Sequence, residues 1–223
     1  MNEVVIRALR FSNDVQTMRA FLETLGLRSR IESESGIWID MVAGRGMVAL
    51  HDAARSDTGG EPGQTRLTFE ADDIDELKDR LDAAGFEEVS IFDEAFGRVL
   101  TARGPDGAGL WIDERPKDLY GYKLHAAHPD TRWSVTPVLA VSDQAGWERL
   151  LDVLGGDNPE LARFRRGAEV QLAGGPEVQL ELTTTESLDE VAERLTATGY
   201  RAEKADGGLS VVDPDGQIVR VRG

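Results

Sequence analysis

The chain contains no cysteine in 223 residues. Disulfides, thiolate nucleophiles and cysteine-zinc sites are thereby excluded, and a metal would have to be held by histidine and carboxylates. Histidine is nearly as scarce, with His51, His125 and His128 as the whole supply. No apolar run approaches the ~18 residues that span a bilayer. The opening "MNEVVIRALRF" also lacks the basic segment, apolar stretch and small-residue cleavage site of a secretory leader. A cytoplasmic protein with no membrane partner is expected. Positive charge is scarce too: Lys and Arg number 25 against 41 Asp and Glu, for a net charge of −16. That sign repels nucleic-acid phosphates and anionic lipid, so nucleic acid is not an expected partner. It suits either a solvated surface or a cationic guest. No Gly-x-Ser-x-Gly elbow, P-loop or His-Glu-x-x-His motif occurs, and "GGEPGQ" (59–64) reads as a linker with too few glycines in register to cradle a phosphate.

What the sequence does contain is repetition. "SNDVQTMRAFLETLGL" (12–27) spaces Val15, Met18, Leu22 and Leu25 for an amphipathic helix, with Ser12 or Asn13 as cap and Gly26 as stop. The strand "VVIRALRF" precedes it, and "RSRIES", "SGIWIDMVAG" and "RGMVALHD" follow, giving β-α-β-β-β. "TRLTFEADDIDELKDRLDAAGF" (65–86) restarts the unit with an Asp72/Asp73 cap, helical Ile74, Leu77 and Leu81, and a Gly85 stop, before the strands "EVSIF", "GRVLTAR" and "AGLWID".

Residues 116–133 break the pattern and are expected to form a connector packed across the surface. The repeat then returns. Asp143, Leu150 and Gly155 keep the spacing of Asp14, Phe21 and Gly26, and Asp189-Glu190, Arg194-Leu195 and Gly199-Tyr200 match Asp75-Glu76, Arg80-Leu81 and Gly85-Phe86. The turn Pro105-Asp106-Gly107 recurs as Pro214-Asp215-Gly216. Three correspondences imply a duplicated architecture. The expected division is 1–115 as a first domain of two units, 116–133 as connector, and 134–223 as a shortened second domain. One strand is expected to be reduced or lost between Gly155 and Pro176.

"ALRFSND" leading to "FLETLGL", "LTFEADDIDELKDRLDAAGF", "GPDGAGLWID", "VLAVSDQ" and "DPDGQIVRV" together resemble the vicinal oxygen chelate superfamily, the glyoxalase, bleomycin-resistance and extradiol-dioxygenase group. The resemblance covers nearly the whole chain. It implies an α+β fold in which tandem β-α-β-β-β repeats form curled mixed sheets around a cleft, with helices outside. It also implies a divalent metal in that cleft, held by His, Gln or Glu from the first and last strands of each unit. At those places this sequence offers Ile6 or Arg7, Ala49, Arg66 and Trp111, and in the second half Thr136, Gln179 and Arg220. None forms a metal set. No metal and no cofactor are therefore expected, and the balance leans away from an enzyme.

The candidate ligand-binding residues are Trp111, Arg66, His51, Trp38, Arg10 and Glu70; no catalytic residue is assigned. Trp111 stands where a carboxylate ligand is usual, either as a plug in the centre of the sheet or as an apolar platform in a pocket. The platform is preferred because Arg66 is expected to project into the same space, and a buried arginine needs an anion or a stacking partner. His51 shares the face of Ala49 and is either a substrate contact or a polar strand end. Arg10 is expected to face inward, with Arg66 and Glu70 available to pair with it or with a ligand. Trp38 borders the cleft or packs in the core. His125 and His128 lie in the connector without a third ligand. The expected function is metal-independent binding of a small molecule, cationic or aromatic, as in bleomycin-type resistance proteins. The alternatives are a glyoxalase-like or dioxygenase-like enzyme with a non-standard metal site, and a degenerate scaffold without ligand. Either a monomer or a homodimer is compatible with the repeats.

Overall fold

A computed structural model describes residues 4–57, 59–117, 119–155, 163–165 and 177–223. The first repeat comprises β1 (Val4–Ser12), α1 (Val15–Thr24), β2 (Arg28–Ser33), β3 (Trp38–Val42) and β4 (Met47–Asp52). The second comprises β5 (Thr65–Ala71), α2 (Ile74–Ala83), β6 (Glu87–Glu94), β7 (Gly97–Arg103) and β8 (Gly109–Glu114). After β9 (Tyr122–Leu124) and β10 (Trp133–Val135) come β11 (Val138–Ala140), α3 (Gln144–Leu154) and β12 (Arg163–Arg165) of the third repeat. The fourth holds β13 (Glu177–Gln179), β14 (Glu181–Thr184), α4 (Leu188–Ala197), β15 (Ala202–Ala205), β16 (Gly208–Val212) and β17 (Ile218–Arg222).

Strand order reveals the duplication more sharply than the sequence does. The first repeat is ordered β1-β4-β3-β2, the second β5-β8-β7-β6 and the fourth β14-β17-β16-β15. First and last strands pair in parallel in β5 with β8 and in β14 with β17. β11 pairs in parallel with β12, which therefore takes a last strand's place in the third repeat. The strand expected to be lost between Gly155 and Pro176 lies, apart from β12, outside the described residues.

Helix starts follow local chemistry. The cap of α1 is Asp14, whose carboxylate accepts the N–H groups of Gln16 and Thr17, rather than Ser12 or Asn13. Ser12 instead accepts the N–H of Asp14 through its hydroxyl at 3.2 Å. Asp73 caps α2 as expected, and Gly26 and Gly85 stop the helices with φ of +82° and +78°.

Two compact units result, and they cut across the sequential halves 1–115 and 134–223. The first unit is built from residues 1–7, 67–119 and 138–178, the second from 8–66, 120–137 and 179–223. Each helix covers only one side of its own strands, and the remaining apolar surface is buried against a helix from the other half. In the first unit, Ile74, Leu77 and Leu81 of α2 share a core with Trp147, Leu150 and Leu154 of α3. In the second, Met18, Phe21 and Leu22 of α1 share one with Val191 and Leu195 of α4. Sheet order runs β6-β7-β8-β5-β1 in the first unit and β1-β4-β3-β2-β9 in the second, β1 having residues in both.

The connector is more than a surface strap. Its Tyr122–Leu124 segment adds a strand beside β2, and Trp133 is fully buried in the core of the second unit. An indole is too large an apolar body to leave in water when a pocket exists for it.

The Pro-Asp-Gly turns explain part of the pairing of repeats. Asp106, at φ +58°, accepts the backbone N–H groups of Ser142 and Asp143, the Ser142 hydroxyl, and the Trp147 indole N–H at 3.1 Å. A turn of the second repeat thus holds the start of the third repeat's helix. The second unit repeats the device: Asp215 accepts the Asn13 N–H at 3.0 Å, ahead of α1. Replacing Asp106 by alanine should cost about 1–2 kcal/mol, the loss of a helix-start acceptor plus an unsatisfied indole N–H. Burial raises the Asp106 carboxyl, but hydrogen bonds from Ser142, Asp143 and Trp147 outweigh it and hold it below the ordinary carboxylate range. The stability it adds is therefore present above that range and lost as pH falls through the lowered value. Urea titrations at neutral and acid pH should show the gap between D106A and the parent closing in acid.

Candidate functional site

Alternation along the strands sorts every candidate. In β1, Ile6 and Ala8 enter the helix-covered cores while Arg7 points to the opposite, helix-free face, which none of the described helices covers. Of the two registers left open by the sequence, it is Arg7 that stands on the face where the resemblance implies a ligand. In β8, Leu110 and Ile112 are core and Trp111 and Asp113 face the other way.

On the helix-free face of the first unit, Asp113 is the centre. Its Oδ2 forms an ion pair with the Arg7 guanidinium, and its Oδ1 accepts the Trp111 indole N–H at 2.7 Å. Arg7, only 3% exposed, also donates from Nε to the Thr68 hydroxyl at 3.1 Å, and that hydroxyl donates back to the Arg7 carbonyl at 2.9 Å. Trp111 is half-buried and cross-strand to Thr101. Glu70, fully buried, is the register partner of Asp113. Two carboxylates side by side would repel, and each has its own guanidinium: Arg115 donates from Nε to Glu70 at 3.0 Å and also pairs with Asp72 at 2.6 Å. Glu70 therefore has Arg115 as an ion-pair partner, drawn from just beyond β8.

The second unit brings together three of the candidates and adds one. Trp38 and His51 are register partners on β3 and β4, with their rings edge to face at 5.6 Å. The His51 ring lies 5.9 Å from that of Phe11 on β1, and the Arg66 guanidinium sits 4.9 Å above the Phe11 ring. Trp38, His51, Phe11 and Arg66 thus form a row, one side chain from each of β3, β4, β1 and β5. His51 Nδ1 lies 2.8 Å from the Asp52 carbonyl; since a carbonyl only accepts, Nδ1 carries the proton and Nε2 is left as the acceptor of the neutral ring. The 59–64 segment is not a free linker: Gly60 lies flat on the Phe11 ring, where a Cβ would overlap the ring atoms. The N–H of Gly63 donates to the Phe11 carbonyl at 2.8 Å.

Arg10 departs from expectation. It has the parity of Ile6 and Ala8, so it lies on the helix side, ion-paired with buried Asp213 and donating to Thr65 Oγ1 at 2.8 Å. The inward placement does not hold because Arg10 shares the parity of the core residues Ile6 and Ala8 and not that of Arg7. Arg66 and Trp111 fall in different units. His125 Nε2 pairs with Glu32 at 3.0 Å.

The metal implied by the resemblance does not fit these residues. Arg7, Ala49, Arg66 and Trp111 stand where the resemblance implies ligands in the first two repeats, and the guanidinium of Arg7 is itself a cation paired with Asp113. Thr136 is buried, Gln179 half-buried and Arg220 exposed, and none completes a set. Among the described residues no three His, Asp or Glu side chains are grouped to hold an ion. No helix among them is long and apolar enough to cross a membrane.

Phe11, Asp113 and Arg115 were missed as participants. Asp113 was legible in principle, since it lies two residues from Trp111 and so must share its face. Phe11 and Arg115 required the tertiary structure.

Repeats of β-α-β-β-β with this strand order define the vicinal oxygen chelate fold. A solved catechol 2,3-dioxygenase superposes with a TM-score of 0.64 at 13% identity, over 97% of this chain and 85% of that one. The Mn(II)-bound glyoxalase from Novosphingobium aromaticivorans gives 0.58 at 17% identity, over 99% and 82%. The 2,2',3-trihydroxybiphenyl 1,2-dioxygenase from Sphingomonas wittichii strain RW1 gives 0.59 at 14%, over 97% and 88%. At such identities the likeness is one of fold. No protein-family model and no curated protein matches the sequence.

Proposed function

We propose that this chain is a metal-independent small-molecule-binding protein built on the vicinal oxygen chelate fold, taking aromatic guests on the helix-free face of its sheets and serving to sequester them. The observation that carries the proposal is the replacement of the ligand positions by Arg7, Ala49, Arg66 and Trp111, with Arg7 already neutralised by Asp113. A guanidinium does not coordinate a cation. What the face offers in place of a metal is ring surface: half-buried Trp111 in one unit, and the half-buried Trp38 and His51 rings in the other. The solved structures that share the fold are enzymes by name, so an unusual metal site is the competing reading.

Elemental analysis of the purified protein after incubation with Mn²⁺, Fe²⁺, Ni²⁺ and Zn²⁺, followed by dialysis, separates the two. Less than a tenth of an equivalent of each metal is the expected result. One equivalent that is lost on His51→Ala would overturn the proposal and direct work to metal-dependent catalysis.

A further inference from the structure

Every buried charge named above on the helix-free face of the first unit is cancelled from within. Asp113 spends one oxygen on Arg7 and the other on the Trp111 indole, and Glu70 is met by Arg115. A charged guest entering beside Trp111 would lose hydration, and the charges named here are already engaged with one another. An uncharged planar guest would lose little and gain the face of an indole. That indole is held in one orientation by a charge-assisted hydrogen bond, so little ordering remains to oppose stacking.

We infer that Trp111 is the stacking platform for a neutral aromatic ligand, and that Asp113 is a positioning residue that both orients Trp111 and cancels Arg7. The inference rests on the aromatic-binding reading above and adds the charge of the guest. It runs against the simplest expectation from the overall charge of −16, which would draw in a cation. Long-range attraction raises the rate of encounter, but the local balance of charge decides what is retained.

Three probes with one ring system test this by calorimetric titration at pH 7.5: 2-naphthylmethanol, 2-naphthoate and 2-naphthylmethylammonium. The parent protein should bind the alcohol at least tenfold more tightly than either ion, and Trp111→Ala should lose that binding tenfold or more. Asp113→Asn uncovers the Arg7 guanidinium, so naphthoate should gain at least tenfold and overtake the alcohol. Arg7→Met uncovers Asp113, and the ammonium probe should gain in turn. The double variant R7M/D113N should restore preference for the alcohol; because it leaves no lone buried charge, it keeps the test decisive if either single variant fails to fold. A parent protein that prefers either ion, or a D113N variant with the parent's order of preference, overturns the inference while sparing aromatic binding. Alcohol binding unchanged in W111A overturns the assignment of the platform. Absence of binding by all three probes overturns the aromatic-binding reading itself.

Discussion

Asp213→Ala should lower the free energy of unfolding by about 3–5 kcal/mol, the range for removing one partner of a buried ion pair. The Asp213 side chain is fully buried and the Arg10 side chain nearly so, and the alanine variant would strand the guanidinium with Thr65 as its remaining named acceptor. The substitution also removes the acceptor for the N–H groups of Asp215 and Gln217, at 3.0 and 2.8 Å, and so loosens the turn that precedes β17. Urea unfolding monitored by circular dichroism gives the number. The control is R10M/D213L, which replaces both charges with apolar groups and should recover most of the loss. A D213A variant within 1 kcal/mol of the parent would show that the pair is solvated. Burial pushes the Asp213 carboxyl above its ordinary value despite the pull of Arg10. Its contribution is therefore most favourable below the ordinary carboxylate range and declines as pH rises through the raised value. Asp213→Asn should remove that downward slope.

The second large effect is expected at Trp133. Truncation to alanine should cost about 3–5 kcal/mol, the range for emptying a fully buried aromatic site. Its ring is 0% exposed and lies so near Gly26 that a Cβ there would be 2.7 Å from the indole Cδ1. The indole N–H donates to Glu186 at 3.1 Å, and Arg194 donates to the same carboxylate. Trp133→Phe should therefore cost less than alanine, yet more than an aromatic exchange without a hydrogen bond. Loss of under 1 kcal/mol in W133A would mean that the connector does not anchor the second unit.

The repeat was legible because it is written in local chemistry: Asp73 and Gly85 bracket α2 just as Asp14 and Gly26 bracket α1. The face shared by residues of one strand was legible from their even spacing, as for Ala49 and His51 or Arg66 and Glu70. It failed at Arg10, where β1 changes from one core to the other and Arg7, Arg10 and Phe11 are all buried, so burial alone gives no phase. The partners Arg115 for Glu70 and Asp213 for Arg10 were beyond reach, since pairing over 45 or 203 residues is set by how the repeats close and not by spacing. Trp111 was legible as a platform candidate, but its hydrogen bond to Asp113 is a side-chain geometry that sequence does not specify.

The division of the chain into units sets an order of events on the ribosome. Residues 67–119 and 138–178 emerge as a nearly continuous block, so the first unit can close soon after its last strand is made. The second unit waits. Arg10 meets Asp213 only after 203 further residues, which at ~5–20 residues per second is about 10–40 s of synthesis. For most of that interval the apolar stripe of α1, with Met18, Phe21 and Leu22, has no α4 to cover it, since α4 begins only at Leu188. The stripe of α1 is thus made well before the helix that covers it, and that window is where a chaperone, or a premature stop, would act on it.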